Sequence, residues 1–138
     1  MKNKVYVLQE EIDTMTDCLL DKIKQSNKEY SCVVGIANGG LNISRKIAES
    51  LCLQHKIIYI SCYDKENKKE CPTINGDHPG NNCLVVDDLV DSGETFNLYK
   101  QHYGDNNHFA VLYWNTKSPK PHYYVKEKPN KWIVLPWE

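Results

Sequence analysis

Apolar positions along the chain change period several times, and each change marks an element. Ile12, Met15, Leu19 and Ile23 recur at spacings of three, four and four, so residues 9–26 read as an amphipathic helix. The run YSCVVGIA (30–37) is continuous and β-branched, the mark of a buried strand, and it breaks at Asn38-Gly39-Gly40. Ile43, Ile47 and Leu51 stand four apart and predict a helix over 41–53. KIIYISCY (56–63), CLVVDD (83–88) and HFAVLYW (108–114) read as further strands, and VYV (5–7) as a short one. ETFNLYKQHYG (94–104) reads as a helix closed by Gly104. Between them, residues 64–82 are polar, carry Gly and Pro, and have no apolar period. A loop of about 19 residues inside a compact domain is uncommon and often serves as a lid.

Strands alternating with helices predict an α/β fold, a parallel sheet flanked by helices. The 138 residues fit one domain, 1–138. In such sheets ligands bind beyond the carboxyl ends of the strands. Two loops fall there: ANGGL after the strand at 30–37, and DDLVDSGET after the strand at 83–88.

Composition narrows the class. Hydrophobic residues at 41% and charged residues at 25% are ordinary for a soluble globular domain. A formal net charge of −1 argues against a general nucleic-acid binder. The start, MKNKVYVLQEEIDTM, has no long apolar core, and no run approaches the ~18 apolar residues of a membrane helix. The expectation is a cytoplasmic protein with no nucleic-acid or membrane partner. The six cysteines form no C-x-x-C pair and are expected as reduced thiols, with Cys32, Cys52 and Cys83 acting as small hydrophobes. The five histidines show no metal spacing, and His78 is expected in solvent.

The candidate chemistry sits in VVDDLVDSGET (85–95). A helix start presents unpaired N–H groups and partial positive charge, so it can hold phosphate without a basic side chain. Ser92 and Thr95 add hydroxyl donors, and Gly93 lets the backbone approach closely. The pattern is neither a Walker A loop nor a dinucleotide fingerprint. Asp87 and Asp88 can accept hydrogen bonds from vicinal hydroxyls and are hard ligands suited to Mg²⁺. Together these suit a sugar phosphate, with Asp91 facing the middle of the ligand. The plainer alternative is that Asp91 caps the helix. Trp132, opening WIVLPWE, is either core or an exposed platform for a flat base; Trp137 reads as structural, and Tyr113 and Trp114 as packing.

This stretch closely resembles the phosphoribosyl-pyrophosphate (PRPP) motif of the type I phosphoribosyltransferases. VVGIANGGLNISRKIA resembles that family's pyrophosphate loop and following helix, and ISCYD its mobile-loop opening. HFAVLYW and WIVLPWE resemble the small xanthine-guanine phosphoribosyltransferases. The resemblance implies the type I fold with a small C-terminal hood, largely 115–138, and a mobile loop at 64–82. It implies a homo-oligomer, dimer or tetramer, in purine salvage.

Carried over, Asp87 and Asp88 hold the ribose hydroxyls, with Asp88 toward Mg²⁺. Ser92, Gly93, Glu94 and Thr95 bind the 5′-phosphate, and Asp91 lies near the incoming base as the catalytic residue. Ala37, Asn38, Gly39 and Gly40 face pyrophosphate, where the family often has a cis peptide. Trp132 and Ile133 bind the base. Ser61, Tyr63, Lys68 and Lys69 belong to the mobile loop. The implied reaction transfers 5-phosphoribosyl from PRPP to a 6-oxopurine and releases pyrophosphate.

The chain departs from the family pattern twice. Asn38 stands where Arg or Lys usually precedes the Gly pair, so charge there would come from Lys68, Lys69, Arg45 or Lys46. The family's base-reading Lys aligns with Asn115, with Lys117 two residues on. Two rivals stay open: a transferase for another base such as adenine, and a non-catalytic PRPP-binding regulator.

Overall fold

The computed structural model describes residues 3–64 and 67–138, with the side chains of 63–71 set aside. In chain order the elements are β1 (Lys4–Tyr6), α1 (Gln9–Gln25), β2 (Cys32–Ala37), α2 (Leu41–Leu51), β3 (Gln54–Asp64) and β4 (Asn67–Gly76). There follow β5 (Cys83–Val86), β6 (Leu89–Val90), α3 (Glu94–Tyr103), β7 (His108–Trp114), β8 (Tyr123–Glu127) and β9 (Trp132–Val134). The main sheet runs β4-β3-β2-β5-β7-β6, with β8 also on β7. Every pairing in it is parallel except β3 with β4.

The continuous apolar runs follow from a sheet covered on both faces. Val33, Leu84, Val86, Ala110 and Leu112 point into one core cluster with Ile12, Leu19, Ile43 and Ile47 of α1 and α2. Their strand neighbours Val34, Ile36, Val85, Phe109 and Val111 point into the other, with Phe96 and Tyr99 of α3. The period-two alternation therefore places apolar side chains on both sides. Among the described residues, no helix is long and apolar enough to cross a membrane.

The expected irregular loop at 64–82 is different. Residues Asn67–Gly76 form a strand on the open side of β3, with Ile74 opposite Ile60 and Thr73 opposite Ser61. Pro72, Thr73 and Asn75 are exposed, and only Ile74 of this end packs against the core. An edge strand held by backbone bonds, with one apolar contact, leaves almost no apolar period to read. Cys52 also departs from the apolar reading: it is an exposed residue with φ 56° that ends α2. Cys32 and Cys83 are buried and stand opposite each other on β2 and β5.

The chain's two ends meet. β1 pairs in parallel with β9, Val5 opposite Ile133, as a separate two-stranded sheet. Val7, Ile133 and Leu135 join the core cluster of α1 and α2, so this ribbon packs on that side of the molecule.

Candidate active site

The crevice opens where β2 and β5 part. Their pairing runs from Cys32 opposite Cys83 to Gly35 opposite Val86, and then each strand enters a loop. The peptide between Ala37 and Asn38 is cis, as the sequence comparison led us to expect. A Cβ on Gly40 would stand 2.5 Å from Val86 O and 2.9 Å from Asp87 Cα. One on Gly39 would stand 2.2 Å from Asp88 Oδ2. Only glycine lets the two loops touch this closely.

Asp87 and Asp88 interrupt an edge that otherwise follows β7. Asp87 N–H donates to Ala110 O at 3.1 Å, and Leu112 N–H donates to Asp88 O at 2.9 Å. Asp88 N–H donates to Asp87 Oδ1 at 2.8 Å, and Leu89 N–H to Asp88 Oδ1 at 2.7 Å. Asp87 is 8% exposed. Burial, then the charge of Asp88, pushes its carboxyl well above the usual range. Burial also raises Asp88, against the pull of its hydrogen bonds. A cation placed beside two such crowded acids would favour their ionised forms. Among the described residues, no three His, Cys, Asp or Glu side chains converge as a metal cage.

The turn after Asp91 is open to solvent at Ser92, whereas Gly93 is buried. Ser92 is exposed and Thr95 half-buried, and the Ser92 Oγ accepts from Glu94 N–H at 3.4 Å. Gly93 has φ +87° at the start of α3, and a Cβ there would meet Pro119 Cδ at 3.1 Å. Asp91 itself makes no cap contact with the helix. Its Oδ1 accepts from Asn115 Nδ2 at 3.2 Å and faces Lys128 Nζ at 3.7 Å. The cis-peptide turn thus packs against the acid pair through Gly39 and Gly40, and Asp91 and the Ser92 turn follow the acid pair along the chain.

A model of the phosphoribosyl transferase domain matches residues 5–138. The chain belongs to this family. It is a transferase, of type I, and the resemblance to the 6-oxopurine enzymes is borne out at the level of family and fold. The transferase is similar to the purine phosphoribosyltransferase of Pyrococcus horikoshii, at 26% identity and a TM-score of 0.82 over 98% of this chain and 94% of that one. The Helicobacter pylori xanthine-guanine-hypoxanthine phosphoribosyltransferase shares the fold at 20% identity and a TM-score of 0.81, covering 99% and 94%. A Neisseria gonorrhoeae protein with bound ppGpp shares it at 22% and 0.77, covering 100% and 90%.

Towards the C-terminal end of the transferase, Trp132 is 54% exposed, so it is not part of the core. Its backbone N–H donates to Asn3 O at 3.0 Å. Ile133 is different: its side chain is buried in the first core cluster, which leaves only its backbone for a ligand. Asn115 spends both ends of its amide, since its Oδ1 accepts from Lys117 N–H at 3.1 Å. The Lys117 residue is exposed. Lys46 is drawn to Asp17 on α1 at 2.9 Å, so it supplies no free charge to the Asn38 turn. Arg45 is exposed on α2. Ser61, expected in a mobile loop, lies on β3 opposite Thr73, and the side chains of Tyr63, Lys68 and Lys69 lie outside the described residues.

Two groups escaped the sequence reading. Lys128 reaches Asp91 from the turn between β8 and β9. Glu138 lies close enough to Asp88 that, after burial, the Asp88 charge is what raises its carboxyl. No local period announces either one; both arrive because the tail folds back.

Proposed function

We propose that this transferase moves 5-phosphoribosyl from PRPP to a 6-oxopurine (guanine, xanthine or hypoxanthine) with release of pyrophosphate. The observation that carries the reading is the place of Asp91. Its 57%-exposed side chain sits between the open Ser92 turn and a hood that presents a Lys and an exposed Trp.

Asp87 and Asp88 grip the ribose diol, and the amides around Ser92, Gly93, Glu94 and Thr95 hold the 5′-phosphate. Asp88, with Asp87 behind it, would hold Mg²⁺, which supplies charge neutralisation for the leaving pyrophosphate. The Ala37–Gly40 turn offers backbone N–H groups to the same leaving group. As the C1′–O bond to pyrophosphate breaks, the anomeric carbon gains oxocarbenium character. The bond from C1′ to the purine nitrogen forms on the opposite face. Asp91 hydrogen-bonds the base and takes up the proton it sheds. Trp132 covers the base plane and excludes water.

The similarity to the Pyrococcus enzyme supports a purine. The Helicobacter enzyme's named bases and the Neisseria protein's ppGpp, a guanine nucleotide, support the 6-oxo class. The test is PRPP and Mg²⁺ with each free purine, following nucleotide formation, for the protein and Asp91→Asn. Turnover of guanine, hypoxanthine or xanthine, cut by about 10²–10⁴-fold in the variant, is expected. Turnover of adenine alone would overturn the base assignment. PRPP binding without any turnover would favour a regulator.

A further inference from the structure

Asp91 has a neighbour that lies outside every sequence motif. The backbone N–H of Lys128 donates to Trp114 O at 2.7 Å, which fixes the residue at the carboxyl end of β7. Its side chain is only 14% exposed. A Lys so covered is uncommon unless its charge is used. Its Nζ donates to Lys131 O at 3.1 Å and to Pro129 O at 3.4 Å, and stands 3.7 Å from Asp91 Oδ1. An ammonium has three protons and no acceptor. Two therefore point at the turn carbonyls, and the third points toward the Asp91 side of the crevice. Lys131, which helps to hold it, directly precedes the exposed Trp132. The ammonium is thereby tied to the platform on which a base would stack.

We propose that Lys128 is the residue that selects the base: its ammonium donates to a ring-carbonyl oxygen on the base edge and rejects an exocyclic amine there. This rests on the phosphoribosyl-transfer reading above. The two other polar groups nearby offer a neutral or a less firmly held donor: Asn115 has one amide proton left after bonding Asp91, and Lys117 is exposed. A carbonyl oxygen completes the ammonium's third hydrogen bond. An amine would set donor against donor at the third proton of a largely buried cation, the mismatch that gives polar sites their strong discrimination.

The experiment compares binding, so that it stands apart from catalysis. Calorimetry measures PRPP with Mg²⁺, then GMP, IMP and AMP, on the protein and on Lys128→Met, which keeps the stem and removes the charge. The protein is expected to prefer GMP and IMP over AMP by about 10-fold or more, the scale of a charge-assisted bond. The Met variant should lose that preference while its PRPP affinity stays within about twofold and its melting point holds. Lys128→Gln gives the same comparison if the Met variant melts early. A preference that survives both substitutions would overturn the assignment. If the protein binds PRPP and turns over a base but does not distinguish the nucleotides, the transfer reading stands and Lys128 has no such role. If it binds no PRPP at all, both fall.

Discussion

Gly39 and Gly40 are adjacent, yet alanine at each should fail in a different way. At position 39 the new Cβ would stand 2.2 Å from Asp88 Oδ2 and 2.7 Å from its Cγ. Ordinary contact begins near 3.4 Å, so the carboxylate must retreat by about 1 Å. It is a side chain and can rotate, so the fold survives, but the bond from Leu89 N–H at 2.7 Å is disturbed and the acid no longer faces the ribose and metal position. A displacement of that size in a positioned group costs about 10²-fold in rate. At position 40 the obstacles are Val86 O at 2.5 Å and Asp87 Cα at 2.9 Å, which are backbone atoms of the central sheet. Overpacking there costs about 1–3 kcal/mol, or roughly 3–10 °C in melting temperature for a domain of this size. The assay is paired: steady-state kinetics with PRPP as the varied substrate, and thermal melting without ligand. Gly39→Ala should lose kcat/KM with melting nearly unchanged, and Gly40→Ala should melt early. A Gly39→Ala enzyme as active as the parent would refute the claim that the Asp88 carboxylate, where it stands, grips the substrate.

Three further outcomes follow from the same geometry. Asp87→Asn removes a carboxyl that burial and Asp88 hold against ionisation, so at neutral pH the ligand-free protein should melt higher, while calorimetry finds PRPP affinity lower by about 10–100-fold, the range of hydrogen bonds to charged groups. Trp132→Ala should raise KM for the base by about 10-fold or more on the stacking scale, with KM for PRPP and melting little changed, because the indole is already half in solvent; equal loss for both substrates would argue against stacking. Burial, with His108 stacked at 4.1 Å, and beyond it Lys100 and Lys28, pushes His122 down to about 4. The unfolded chain therefore takes up a proton near pH 6.5 that the folded one refuses, and stability should fall between about pH 6.5 and 4. Much of that residue faces solvent, so the loss is screened to about 1 kcal/mol; His122→Asn should flatten the slope of melting temperature against pH, and an unchanged slope would assign it elsewhere.

The readable parts of this chain are those in which local pattern and final position agree. β2, β5 and β7 announce themselves because both faces of each are covered, leaving no polar interruption. DDLVDSGET is legible because the acids, the turn and the helix start are consecutive in sequence. β4 was hidden because its structure is carried by backbone bonds to β3, which leave no trace in side-chain type. Lys128 and Glu138 were hidden because their partners, Asp91 and Asp88, are about 40 or more positions away, and only tertiary closure joins them. Asn115 was read as a base-facing group, but its sequence position could not reveal that Asp91 and Lys117 already bond to it.

The pairing of β1 with β9 grades the stiffness of the crevice. The end proposed for the pentose is braced by the long sheet, whereas the end proposed for the base leans on two strands of three residues each, joined at Val5 and Ile133 and extended by the Val7–Val134 bond. So small a ribbon has little stability of its own, and regions of that kind open without global unfolding. Amide protons at Val5 and Val7 should exchange well before those of Val85 and Val111. A flat heterocycle could then enter and leave through a breathing roof while the sugar phosphate stays clamped on an unmoving floor.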